Sequence, residues 1–96
     1  LEGANLEGAR LGEANLFRAN LAGANLQGSS FKGATLVGAT LKGANVKGAI
    51  LWDATFYDTD LRGADLEYAR IEGVALKNAD LRGQDLDDLR KRVAGF

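Results

Sequence analysis

The sequence predicts an all-β solenoid, a chain that coils through short strands and tight corners around one narrow core. Three observations predict it. From Leu1 to Leu86 every fifth residue is Leu, Phe, Val or Ile, eighteen positions without a miss. Between successive members runs a second column, from Ala4 to Leu89, in which thirteen of eighteen residues are Ala. Gly fills eleven of the eighteen places two residues after the large apolar one, as in Lys42-Gly43. A self-similar period that fills the chain defines the fold before any single element does.

A period of five matches neither a helix at 3.6 residues nor a long strand at two. Inside one unit, a triplet such as Ala24-Asn25-Leu26 does alternate. Ala and Leu then face one side and Asn the other, as in a three-residue strand. The two remaining residues must turn the chain. Gly at the third position of a four-residue turn supplies the positive φ that a type II turn needs. Units whose apolar side always faces inward close into a coil, with small Ala and large Leu filling a narrow interior. Successive coils stack at about 4.8 Å, the inter-strand spacing. The chain has no Pro, as expected where each strand pairs on both edges and every backbone N–H is used. Geometry alone permits three, four or five sides.

The run Ala-Asn-Leu-x-Gly, present as Ala24–Gly28 and varied as Ala64-Asp65-Leu66-Glu67-Tyr68, resembles the pentapeptide-repeat family. The resemblance covers residues 1 to about 86. It implies a right-handed quadrilateral parallel β-helix of about four and a half coils, with equivalent residues twenty apart. On that register Leu6, Leu26 and Leu66 share one buried column, and Asn5, Asn25 and Asn45 form a ladder on one face. Thr59, Val74, Gln84 and Leu89 depart from the pattern in the small column. Glu13, Arg18, Asp53, Asp58 and Tyr68 replace Gly at corners, so those turns are expected to depart from type II.

The period ends at Leu86, which divides the chain into a solenoid over 1–86 and a short C-terminal α-helix over 87–96. Asp85 can cap the helix, Asp87 and Asp88 suit its first turn, Arg90, Lys91 and Arg92 its last, and Gly95 its stop. Leu86, Leu89 and Val93 share a face and, with Phe96, are expected to plug the open end of the core. The family resemblance adds homodimerisation through this helix as a second role for the same residues.

Composition excludes much chemistry. Ninety-six residues make one domain, and twelve Lys/Arg against thirteen Asp/Glu leave a net charge of −1. That balance gives no general attraction to nucleic acid or anionic membrane, so direct nucleic-acid binding is not expected. No apolar stretch reaches membrane-spanning length. Without His or Cys the chain offers no Ser–His pair, no thiolate and no zinc cluster. Ser29 and Ser30 have no accompanying base and read as repeat variation. Asp60 and Asp80, beside Arg62 and Arg82, read as ion pairing along the rod. No enzyme activity, cofactor or metal is expected. The chain opens at Leu1 in mid-pattern and without Met, so any targeting segment is expected upstream.

The outside of the rod holds the candidate site. Phe17, Val37 and Tyr57 stack in one outward column, and Ile50 and Trp52 lie on the preceding side. Core packing explains no aromatic at an outward position, and a contiguous apolar patch marks an interface; stacking between coils is the competing explanation. Lys42, Arg62 and Arg82, with Lys47 around the corner, read as a solvated basic column. Two functions are weighed. One is a non-enzymatic scaffold, a protein–protein interaction or structural module for a protein partner whose identity the sequence does not give. The alternative, which the family resemblance brings, is a DNA mimic that binds and protects DNA gyrase, a topoisomerase. Charge disfavours the mimic, because residues 27–50 contain no acid, although residues 53–72 keep an acidic band. The resemblance allows two compartments, the bacterial cytoplasm, which is favoured, and the thylakoid lumen.

Overall fold

The computed structural model describes residues 1–93. Parallel backbone bridges join Asn5 to Asn25, Arg10 to Ser30, Asn15 to Thr35 and Asn20 to Thr40, and the same offset of twenty continues to Asp60 with Asp80. A coil therefore contains four five-residue units and four corners. Face 1 carries the triplets 4–6, 24–26, 44–46 and 64–66. Faces 2, 3 and 4 begin five, ten and fifteen residues later. Each triplet bonds in both directions: Asn25 N donates down to Ala4 O at 2.9 Å, and Leu6 N donates up to Asn25 O at 2.7 Å. Four coils and one further turn, Leu81–Gln84, precede the helix, slightly less than the four and a half coils expected.

The apolar columns meet along the axis. Leu21, Leu26, Phe31, Leu36, Leu41, Val46 and Phe56 are buried, with Ala24, Ala34, Ala39 and Ala44 between them. Leu66 is buried in the same column as Leu26, but Leu6 is only half-buried, because no described coil lies beneath the first. The polar intruders into the core are satisfied locally. Ser29 Oγ donates to Leu26 O and Thr59 Oγ1 to Leu36 O, both at 2.6 Å.

The corners depart from expectation. Glu13, Arg18, Asp53, Asp58 and Tyr68 all take positive φ, between 57° and 62°, and Asn78 joins them at 59°. Their turns thus share the sign of the glycine corners and do not form a separate class. The reason is the stack. Each corner is closed by a bond across the turn, as Ala14 N to Leu11 O at 3.1 Å, and tied to a neighbouring coil, as Glu13 N to Lys32 O at 2.8 Å and Asp58 N to Lys77 O at 3.0 Å. A left-handed non-glycine residue costs about 1–2 kcal/mol. Losing two backbone hydrogen bonds costs more where their groups are shielded from water.

The outward residue of each triplet also serves the corner. Asn5, Asn15, Asn20, Asn25 and Asn45 accept the backbone N–H two residues on through Oδ1, at 3.1–3.2 Å, as do Asp60, Asp65 and Asp80 at 3.0–3.2 Å and Thr40 through Oγ1 at 3.2 Å. Side-chain contacts along the Asn5–Asn25–Asn45 ladder are longer, at 3.5 Å. Turn capture, more than laddering, accounts for the Asn-rich column.

Helix α1, Leu86–Arg92, closes the upper end. Asp85 caps it, its carboxylate accepting from Asp88 N at 3.1 Å, and Asp87 and Asp88 lie in the first turn. Leu89 and Val93, one turn apart, are buried over the last coil. Leu86 is 42% exposed and does not join them. It is the first helical residue, at the rim where the chain leaves the rod, and the packed stripe starts one turn later. Gly95 and Phe96 lie outside the described residues. Two departures from the repeat complete the closure. Ala64 O and Ala69 O would accept from a fifth coil, and instead Gln84 Nε2 donates to Ala64 O at 2.6 Å and Arg92 Nη2 donates to Ala69 O.

Gly43, at φ 69° with open space around a built Cβ, isolates the backbone effect. Gly43→Val should lower stability by about 1–2 kcal/mol in chemical denaturation, whereas Gly43→Asn should lower it less. Arg92→Met should also destabilise, by about 1–3 kcal/mol, because it strands the carbonyl of Ala69.

Candidate interaction surface

The outward columns follow from the register. Phe17, Val37 and Tyr57 occupy the same place on successive coils, at the corner between faces 3 and 4, where Arg18 N bonds Val37 O and Gly38 N bonds Tyr57 O. Phe17 is 55% exposed and Tyr57 42%, with half-buried Val37 between them. The Arg18 guanidinium lies 5.1 Å from the Phe17 ring centroid. Ile50 and Trp52 stand one side away: Ile50 at the centre of face 2, Trp52 at the corner between faces 2 and 3. Thr35 and Thr55 fill the face between the two corners, so Phe17, Val37 and Tyr57 form one apolar edge beside an uncharged strip, whereas Trp52 stands between Lys32 and Glu72 on the other edge and Ile50 lies beyond it on face 2.

Trp52 is held by its own rod. Its indole Nε1 donates to Glu72 Oε2 at 2.6 Å, and the Arg70 guanidinium lies 5.6 Å from the ring centroid. The Glu72 carboxyl is held below its ordinary value by its own backbone N–H and then by this indole. Half of the competing explanation therefore applies to Trp52, which stabilises the wall it decorates, while Phe17 and Tyr57 keep their rings in solvent.

Face 4 carries the ion-pair ladder. Arg62 pairs with Asp60 at 2.7 Å and reaches Asp80 on the next coil at 3.6 Å, and Arg82 pairs with Asp80 at 2.6 Å. Arg62 and Arg82 are thus tied to carboxylates, and Lys47 lies 3.6 Å from Asp65. Two of the three cations of the basic column, Arg62 and Arg82, are neutralised. Tyr68, at 80% exposure, is the aromatic that the sequence reading passed over. Its one signal was its place in a glycine column. Among the described residues no cluster of three or more His, Cys, Asp or Glu side chains is placed to hold a metal ion, and no helix is long and apolar enough to cross a membrane.

The hydrogen bond from Arg82 lowers the Asp80 carboxyl to about 2, and the Arg62 hydrogen bond lowers Asp60. Both folded values lie below the unfolded one near 4. The stability that Asp80 contributes is therefore present above about pH 4 and lost as pH falls through about 2, and Asp60 acts in the same direction. The denaturation midpoint should drop across that window, and Asp80→Asn should flatten part of the drop.

A family model for pentapeptide repeats (8 copies) matches residues 1–36, 14–53 and 51–83. Among curated proteins no similar sequence was found. Two solved structures are similar. One is a pentapeptide repeat protein from the Arabidopsis thaliana thylakoid lumen, 27% identical over 88% of this chain, with a TM-score of 0.51. The chain spans 63% of that protein's length. The other is a pentapeptide repeat protein from Nostoc PCC 7120, 25% identical over 96% of this chain and 80% of its own, with a TM-score of 0.59. The matched segments run together from residue 1 to residue 83, over a backbone whose coils bond every four units. The chain belongs to the pentapeptide-repeat family, and its solved neighbours imply a right-handed β-helix.

Proposed function

We propose that this chain, a right-handed quadrilateral β-helix, is a non-enzymatic scaffold that presents a rigid surface to a protein partner. The observation that carries the reading is the outward column Phe17–Val37–Tyr57, with two aromatic rings about half exposed on a rod of net charge −1. A rigid wall pre-orders its side chains, so little conformational entropy is lost when a partner covers them. Tyr and Phe in such positions act as anchors. Trp52, across the uncharged face 3, bounds the far side of the same surface, and Ile50 lies behind it on face 2. The DNA-mimic reading has less support: residues 27–50 carry no acid, and Asp60 and Asp80 are already paired with Arg62 and Arg82.

Cross-linking capture of partners tests this, with the parent beside Phe17→Ser/Tyr57→Ser. The double variant should keep its circular dichroism and lose its partners, since neither residue is in the core. Trp52→Ala should weaken capture and also lower stability by about 0.5–1 kcal/mol, the scale of an exposed cation–π contact. Capture unaltered by the double variant would remove the surface from consideration, and inhibition of DNA gyrase supercoiling at stoichiometric protein would favour the mimic.

A further inference from the structure

Among the described residues the fourth coil leaves upward backbone donors without acceptors on all four faces, and on face 1 they border a cleft lined by carboxylates. In the coil below, Val46 N donates to Asp65 O at 2.8 Å and Gly48 N to Glu67 O at 2.9 Å. Leu66 and Tyr68 hold the same places one coil higher, and no acceptor among the described residues meets either N–H. Both donors border an open cleft between residues 63–69 and α1. Asp65, Glu67, Asp85 and Asp88 line it, against Arg92. Arg92 pairs with Asp88 at 2.9 Å and Lys47 lies 3.6 Å from Asp65, so four carboxylates face two cations.

Tyr68 forms the rim. At φ 62° it is a bulky aromatic in a conformation where such residues are outliers, and it is 80% exposed. Nothing in the core needs it: glycine fills its place at Gly8, Gly28 and Gly48 in the coils below. The register imposes that φ at every corner, but it does not call for an aromatic there, and an exposed ring beside unpaired backbone donors and a carboxylate-lined cleft points to a contact outside the chain.

We propose that this cleft receives an extended, Lys- or Arg-bearing segment of a partner protein, which adds a strand to the fourth coil. Carbonyls of alternate residues in the segment accept from Leu66 N and Tyr68 N, as those of Asp65 and Glu67 do from Val46 N and Gly48 N one coil lower. A basic side chain lies against the Tyr68 ring, and Glu67 and Asp85 supply the charge it needs. The site is at the corner between faces 1 and 2, opposite the Phe17–Tyr57 corner, and goes beyond the function proposed above.

Amide chemical shifts of the full chain, titrated with a capped hexapeptide of alternating Lys and Val beside its Glu–Val counterpart, test the inference. The basic peptide should move the Leu66 and Tyr68 amides, and the acidic one should not. Tyr68→Gly, which suits the backbone, should keep the fold and bind about tenfold more weakly, and Glu67→Lys should weaken binding further. Phe17→Ser/Tyr57→Ser should leave the titration unchanged, which separates this site from the aromatic corner. Equal response to both peptides, or shifts spread over the acidic faces without Leu66 and Tyr68, would overturn the proposal. So would movement of the same amides on concentrating the protein alone, which would assign the cleft to a second copy.

Discussion

The backbone hydrogen bond between residues twenty apart is the constraint from which the rest of this structure follows. Each triplet is only three residues long, too short to persist alone, and a single coil encloses little more than four large side chains. Bonding each coil to the next on every face, as Leu26 N to Asn45 O at 2.7 Å does, turns marginal units into one cooperative stack. The register then fixes where every side chain points. It also forces Glu13, Arg18 and Asp58 into the left-handed region, because a corner of another shape would break both the bond across the turn and the bond to the neighbouring coil. Local preference amounts to about 1–2 kcal/mol, and the register outweighs it.

The parts of the fold legible in the sequence were those repeated often enough to average over exceptions. The apolar and small columns state the inward face eighteen times, and the glycines state the corner eleven times. What escaped notice was decided once. Replacement of Gly by Tyr68 or Asp53 reads as a change of turn if propensity is consulted alone, yet the bond across the turn and the bond to an adjoining coil hold the same φ. Gln84 and Arg92 looked like a lapse in the repeat and a charge at a helix end. Their real work is to replace backbone donors of a coil that is not there, which no pattern of hydrophobicity encodes. Leu86 shows the limit from the other side: it keeps the period but has already left the rod.

The candidate surfaces were legible to different depths. That Phe17 and Tyr57 face outward follows from phase, and the wall places them there. The bond from Trp52 to Glu72 depends on a residue twenty positions away, visible only once the register is known. On such a rod the inward residues are tied to packing, and the outward ones are free to vary except where they catch a corner N–H, as Asn20 and Asp80 do. Binding chemistry is therefore confined to corner residues and to the few central positions, such as Ile50, where the capturing side chain has been given up.

The mismatch between a five-residue unit and a twenty-residue coil makes the length of the chain a kind of dial. Removing one unit from the middle leaves the inward pattern in phase, since all four sides use the same apolar and small columns. Everything beyond the excision, however, rotates by a quarter turn. Tyr57 would leave the Phe17 corner, the Asp60–Asp80 column would shift away from Thr40 beneath it, and surfaces that now continue one another would be re-dealt. In this architecture an indel of five residues is nearly silent to the interior and drastic to the exterior, so new binding faces can arise without a single substitution.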